Sequence, residues 1–325
     1  MLQVKNISFA YKNEPVIRDL SFAIRQGGHL SVIGESGSGK STLLKLLYGK
    51  YDLGKGAISW KDQPVLGPKY NLITGPDFMK YVAQEFNIMP YTSVADNVGE
   101  FLSNLYPVKK KKRIEELLNV VGLEGESQTL VKQLSGGQKQ RVALAKALAV
   151  EPEVILLDEP FSHIDNFKKH GLRRSLFNYL KEKNITCIVA THDKEDVLGY
   201  ADTILVLNAG SALSFEKPEK LYKDPKYGLV ASFFEEFSVL KRSDLYHTAN
   251  NSEVIVYAHE LKPVAKSGLE VLVVKNYFKG DYYLVEGLFK DKTVFLKNKK
   301  PLQVHTVTGL KTSVSKLKNR SDFIG

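Results

Sequence analysis

The sequence predicts an α/β core that carries an antiparallel β-subdomain and an inserted helical subdomain, followed by a small all-β module at the C-terminus. Three observations predict it. The opening stretch alternates apolar and polar residues at Leu2 and Val4, at Ile7, Phe9 and Tyr11, and at Leu20, Phe22 and Ile24, which is the period of half-buried strands. The later runs 154–157, 187–190 and 204–207 are apolar throughout, as parallel strands covered by helices on both faces must be. Beyond Phe237 the alternation returns in EVIVYAHE, LEVLVVKNYF, DYYLVEGLF and KTVFLK, short strands between Lys-, Gly- and Asp-containing turns, as in a small barrel.

The inserted helical subdomain spans about 85–150. There Ile114, Leu117, Leu118 and Val121 recur at helical spacing and Gly122 supplies a stop, while the basic run at 109–113 reads as an exposed helix start. The main domain is thus expected over 1–237, a linker over 238–251, the barrel over 252–310 and a basic, weakly periodic tail over 311–325. Charge supports that division. Residues 241–325 carry 15 Lys and Arg against 8 Asp and Glu, so +7 of the net +10 lies in the last quarter. Such a surplus suits nucleic acid, an anionic membrane surface or an anionic ligand, and does not choose among them. No apolar run approaches the roughly 18–20 residues that cross a bilayer, and the N-terminus lacks a signal-peptide layout, so a cytoplasmic protein is expected. One cysteine, Cys187, excludes an internal disulfide and reads as a buried structural thiol.

Residues Gly34, Glu35, Ser36, Gly37, Ser38, Gly39, Lys40 and Ser41 match G-x-x-x-x-G-K-[ST] between a strand (LSVI) and a helix (STLLKLLYG), the setting of a phosphate-binding loop. Glycines let backbone N–H groups approach phosphate oxygens at the positive end of a helix. Lys40 is expected at the β and γ phosphates of ATP, Ser41 on Mg²⁺, and Thr42 beside them. VILLDEP delivers Asp158 and Glu159 to the carboxyl edge of a sheet. Adjacent carboxylates on a strand diverge, so Asp158 can serve Mg²⁺ while Glu159 faces the attacking water as base or orienter. ITCIVATHD places His192 at the same edge, where it can donate to the γ-phosphate. Gln84, neutral, can ligate Mg²⁺ or water.

The run Leu134-Ser-Gly-Gly-Gln-Lys-Gln-Arg141 opens a helix with capping-box spacing between Ser135 and Gln138. It is similar to the signature sequence of ABC ATPases and lies between the phosphate loop and VILLDEP in their order. The resemblance implies a P-loop NTPase core. It also implies a head-to-tail homodimer in which Ser135, Gly136, Gly137 and Gln138 of one copy close over the nucleotide of the other. By the same resemblance Tyr11 stacks on adenine, Gln84 is the lid glutamine and His192 the switch histidine. Asp165 ends a segment usually written Ser-Ala-Leu-Asp, here Ser162-His-Ile-Asp165, so His163 departs from the pattern. A second departure is the long stretch 62–79, read as a surface insertion.

Glu216-Lys-Pro-Glu-Lys-Leu-Tyr-Lys-Asp-Pro225 and VASFF resemble the cassettes of bacterial importers for polyamines, ferric iron, sulfate or molybdate. The strands with Tyr257-Ala-His-Glu260 and Phe278-Lys-Gly280 resemble their oligonucleotide-binding-like accessory (TOBE) barrel. That implies an ATPase on the cytoplasmic face of the inner membrane, with separate permease subunits docked near Gln84 and residues 85–101, and a substrate-binding protein. The alternative is a soluble ABC ATPase acting on nucleic acid or ribosomes, for which the basic balance argues. Against it stand the single cassette, the lack of a long coiled coil and the importer-like tail. The basic tail could also sense an anion, or be only a solvated or lipid-facing surface.

Overall fold

The computed structural model describes residues 1–325, the side chain of Lys316 excepted. It divides into two compact units, Met1–Lys217 and Pro218–Gly325.

The first unit opens with β1 (Leu2–Tyr11), β2 (Glu14–Ile24) and β3 (His29–Ile33), then α1 (Lys40–Leu47), β4 (Lys55–Trp60), β5 (Gln63–Pro64) and β6 (Met79–Val82). There follow α2 (Val94–Val98), α3 (Pro107–Val120), α4 (Gly136–Leu148), β7 (Val154–Asp158), α5 (Asn166–Glu182), β8 (Thr186–Ala190), α6 (Lys194–Tyr200), β9 (Thr203–Asn208) and β10 (Ser211–Glu216). The alternating strands make an antiparallel sheet in the order β2-β1-β4-β5, and the apolar runs lie in a second sheet, β10-β9-β3-β8-β7-β6. Within that sheet β6, β7, β8, β3 and β9 pair in parallel, and β10 closes one edge antiparallel.

Continuous apolar runs make sense there because both faces are covered. Val154 and Leu156 of β7 join the cluster that holds Leu43, Leu44 and Leu47 of α1. Ile155 and Leu157 join the opposite cluster, with Leu117 of α3, Leu144 of α4 and Leu176 of α5. Cys187 is fully buried in that second cluster, and burial pushes its thiol well above the usual range. Helix α3 stops where expected, with Gly122 in the left-handed region at φ 64°. The basic run at 109–113 does not lie wholly in solvent. The Arg113 side chain is 14% exposed and donates to Leu148 O at 2.7 Å and Ala149 O at 3.2 Å, capping the carbonyl end of α4. Between β5 and β6 the stretch read as an insertion is an ordered loop with Leu72 and Ile73 exposed, fastened by Asn71 Nδ2 on Leu66 O at 3.0 Å.

The second unit comprises α7 (Pro218–Lys223), α8 (Gly228–Phe234), β11 (Phe237–Lys241), α9 (Arg242–Leu245), β12 (Glu253–Tyr257) and β13 (Lys262–Val264), then β14 (Leu269–Phe278), β15 (Tyr283–Phe289), β16 (Lys292–Asn298), β17 (Val307–Lys311) and α10 (Val314–Lys318). Five strands in the order β13-β17-β14-β15-β16 form a curled antiparallel half-barrel, and β11 pairs with β12 beside it. This unit starts ahead of the sequence boundary at 237, because Tyr222 of α7 stacks on Tyr257 of β12 with ring centroids 5.2 Å apart. Residues 238–251, expected as a linker, hold most of β11 and all of α9. The tail at 311–325 is likewise ordered. Arg320 is 7% exposed and donates to both carboxylate oxygens of Glu260 at 2.7 and 2.9 Å and to Ile255 O at 2.8 Å. Buried Arg242 donates to Leu317 O at 2.7 Å. These carbonyl and carboxylate partners lie 60 and more residues away in the chain, so sequence spacing does not show them. No helix among the described residues is long and apolar enough to cross a membrane.

Arg320→Ala leaves the Glu260 carboxylate buried without its fork. Loss of one partner of a buried pair costs about 3–5 kcal/mol, so denaturant unfolding followed in the C-terminal unit is expected to shift by that amount, with the N-terminal unit's transition unchanged.

Candidate nucleotide site

The parallel strands β3, β8, β7 and β6 end at one edge, and each hands over directly to a candidate residue. Beyond β3 the loop 34–39 leads into α1. Its glycines are needed where they stand: Gly34, Gly37 and Gly39 have φ 153°, 81° and 104°, and a Cβ on Gly34 would lie 2.2 Å from Leu207 O, a conformation and an approach open only to glycine. The Lys40 ammonium is folded over this loop, donating to Gly34 O at 2.8 Å and Glu35 O at 2.9 Å. Burial holds it below the usual lysine range, opposed by the charges of Glu159 and Asp158. Ser38 Oγ is buried with no partner among the described residues.

Strand β7 ends in Asp158, 4% exposed, whose two oxygens accept from Ser41 Oγ at 3.0 Å and from the Tyr81 phenol at 3.1 Å. Burial, then the nearby Asp158 charge, push the Tyr81 phenol well above its ordinary range. Glu159 stands in the left-handed region at φ 52°, a backbone that non-glycine residues adopt at a cost and that clusters at functional sites. Its carboxylate meets His192, with Oε2 2.7 Å from Nδ1. The backbone of Glu159 stays tied to the sheet through its N–H to Ala190 O at 2.9 Å.

A cavity of about 370 Å³ is lined by Val16, Ser36, Gly37, Gly39, Lys40, Ser41, Thr42, Gln84, Glu159, Ser162 and His192. The fold therefore brings together the phosphate loop, Gln84, Glu159 and His192. Asp158 joins them through Ser41, and Tyr11 through its hydroxyl, 3.5 Å from Thr42 Oγ1. The Tyr11 ring packs edge-on to Phe9 and Tyr51. The donor set fits a magnesium nucleotide: an ammonium, a hydroxyl, one carboxylate and a neutral amide, with the rest of a magnesium shell normally supplied by phosphates and water. The orphaned Ser38 hydroxyl in the cradle argues the same way.

The signature run does not line this cavity. Ser135 caps α4 as its spacing predicts, with its hydroxyl accepting from Gln138 N at 3.2 Å and Gln138 Oε1 accepting from Ser135 N at 2.9 Å. Ser135 and Gly136 are exposed, and a Cβ on Gly136 would meet nothing within 4 Å. The tip is an open helix N-terminus. Asp165 stands at the start of α5 without a side-chain cap bond, and His163 packs its ring against Phe86 at 5.4 Å.

Residues 17–162 match the family model described as ABC transporter. The chain is 36% identical over 242 residues to the "Fe(3+) ions import ATP-binding protein FbpC 2" of Haemophilus influenzae, covering 74% of this chain and 68% of that protein. The chain belongs to the ABC transporter ATP-binding family. It is also 29% identical over 333 residues to the "Spermidine/putrescine import ATP-binding protein PotA" of Clostridium acetobutylicum, across 95% of this chain and 93% of that one. Among solved structures, CbiO1 of Clostridium perfringens, described as part of the ABC transporter complex CbiONQ, superposes with TM-score 0.60 at 27% identity over 68% of this chain and 89% of that one. A dimeric ATP-binding cassette in a post-hydrolysis state bound to ADP and Pi superposes with TM-score 0.58 at 27% identity over 67% of this chain and 98% of that one. The relatives are named as importer subunits, which favours transport over action on nucleic acid or ribosomes.

For an ABC ATPase subunit the site has members that sequence patterns missed. Val16 and Ser162 line the cavity, and Tyr81 holds Asp158. Gln140, 1% exposed, donates to Glu159 O at 2.9 Å and accepts from His163 N at 3.2 Å, tying the signature helix to the turn after β7. Gln140→Leu removes both bonds from a buried position. It is expected to cost about 1–3 kcal/mol in thermal or denaturant unfolding and to lower kcat for ATP, with an unaltered unfolding midpoint contradicting the bridge.

Proposed function

We propose that this chain is the ATP-binding and ATP-hydrolysing subunit of an importer, working as a homodimer in which each copy completes the other's nucleotide site. The convergence of Lys40, Ser41, Gln84, Glu159 and His192 on one cavity carries this reading, and the relatives' names support the transport role. Backbone N–H groups of the loop 34–41 and the Lys40 ammonium bind the β and γ phosphates, and Tyr11 stacks on the base, a contact worth about 1–3 kcal/mol. Magnesium held by Ser41, Asp158 and Gln84 would neutralise charge on the phosphates. Water attacks the γ-phosphorus, the bond to the β–γ bridging oxygen breaks, and ADP and phosphate leave. Glu159 takes or orients the water proton, and His192 donates to the γ-phosphate.

Ser135, Gly136, Gly137 and Gln138, with Asp165 nearby, meet the partner copy's nucleotide. ATP then acts as an adhesive whose γ-phosphate contacts exist only in the closed dimer, and hydrolysis removes them. Driving a two-state equilibrium from about 1:99 to 99:1 takes roughly 5.5 kcal/mol, within reach of two such charge-assisted sites. Closure is passed to separate permease subunits on the cytoplasmic face of the inner membrane, with a substrate-binding protein delivering cargo. A second cavity of about 510 Å³, lined by Tyr48, Lys80, Phe86, Phe101, Lys146 and Val150 among others, offers the docking groove. Tyr81 lines that groove and also bonds Asp158, which connects docking to the metal carboxylate.

Glu159→Gln is expected to bind ATP, to accumulate the dimer on size-exclusion chromatography, and to lose about 10²–10⁴-fold in steady-state hydrolysis. Turnover at the wild-type rate by the purified variant would overturn the role given to Glu159.

A further inference from the structure

Behind the Glu159–His192 pair lies a side chain that touches neither and lines no part of the nucleotide cavity. Arg173 sits on α5 and is 2% exposed. Its guanidinium gathers all three carboxylates of the segment that follows His192: Nη2 donates to Asp193 Oδ2, Nη1 to Glu195 Oε2 at 2.8 Å and Nε to Asp196 Oδ1 at 2.5 Å. Its carbon lies 5.5 Å from the ring centroid of Phe161, a buried residue in the turn that carries Glu159. One rigid fork therefore meets both segments whose side chains, Glu159 and His192, approach to 2.7 Å.

The acidic segment is knit to itself as well. Thr191 Oγ1 donates to Asp196 Oδ2 at 2.8 Å, and the Asp193 and Glu195 N–H groups bond to Thr191 Oγ1 and Asp193 Oδ1, each at 3.0 Å. Lys169 and His170, one turn earlier on α5, reach Asp193 at 3.7 Å and Glu195 at 3.1 Å. These are weaker, more exposed partners. Three carboxylates this close need a buried counter-charge, and the planar guanidinium alone can serve them with fixed angles. The His192 side chain is 73% exposed, so its placement depends on the backbone beneath it. We propose that Arg173 is a positioning residue for hydrolysis, clamping the 193–196 segment so that His192 stays against Glu159. The inference rests on the roles proposed above for Glu159 and His192.

The test compares Arg173→Lys, Glu195→Gln and His192→Ala singly and in pairs, reading kcat and KM for ATP on full-length protein. Displacing a reacting group by about 1 Å costs on the order of 10²-fold. Arg173→Lys is therefore expected to lower kcat by about 10- to 100-fold while KM stays within about twofold. Here kcat is referred to the concentration of nucleotide-binding protein, because loss of folded protein would lower apparent kcat at constant KM in the same way. In the His192→Ala background the same change is expected to add nothing, because Arg173 acts through that histidine. Multiplicative losses in the double variant would overturn the positioning role and leave His192 in place. Wild-type turnover by His192→Ala alone would remove the role of His192, and this inference with it. Should Arg173→Lys not fold, Glu195→Gln decides, since Glu195 is 49% exposed: a several-fold fall in kcat that vanishes in the His192→Ala background is expected, and an unchanged kcat would overturn the clamp.

Discussion

Parallel pairing of β6, β7, β8 and β3 is the constraint on which the rest of this molecule depends. Because these strands run the same way, their carboxyl ends lie along one edge, and the loops that leave them cannot avoid being neighbours. Gln84 follows β6, Asp158 ends β7 and Glu159 follows it, His192 follows β8, and the phosphate loop follows β3. Strands β3, β7 and β8 are buried at every position, while edge strand β6 is buried at Met79 and Val82 only, so most roots of the site are as immobile as the core. The chemistry is placed by backbone hydrogen bonds and apolar packing before any polar contact is made.

That edge supplies only half of what the family resemblance calls for. It gathers donors for a polyphosphate and a carboxylate–imidazole pair, while the capped tip of α4 stands exposed and lines no part of the cavity. The same tip is stiffened from inside. Gln140 reaches the turn after β7, and Arg141 donates to Gly122 O at 2.6 Å at the end of α3. A helix N-terminus so fixed, with glycines where side chains would intrude, suits an anion brought to it from outside. A second copy is the natural source in a head-to-tail arrangement.

Much of this was legible in the sequence because the signals are local. Strand period separated the two sheets, and the spacing of Ser135 and Gln138 gave the cap that forms. The phosphate loop, the acidic pair and His192 each follow an apolar run that had to be a central strand. What escaped was long-range. Tyr81 reads as one more residue of a strand until Asp158 is placed beside it, and Arg173 as one basic residue among several on α5. The order of 238–251 and 311–325 escaped for the same reason, since Arg242 and Arg320 find buried partners across the C-terminal unit. Basic, weakly periodic composition makes 311–325 read as a loose tail, and 238–251 reads as a linker. Burial of the guanidinium groups against carbonyls and Glu260 reverses that expectation.

The central claim, that a site is shared between two copies, is tested most directly by mixing two inactive variants. Lys40→Ala disables the phosphate loop and Ser135→Arg blocks the helix tip, so each homodimer has two damaged sites. A mixed dimer, however, pairs an intact loop from one chain with an intact tip from the other. Single-turnover ATP hydrolysis should reappear on mixing, rising with the fraction of mixed dimer. Hydrolysis that stays at the level of the separate variants, in mixtures verified to contain the mixed dimer, would contradict the shared site.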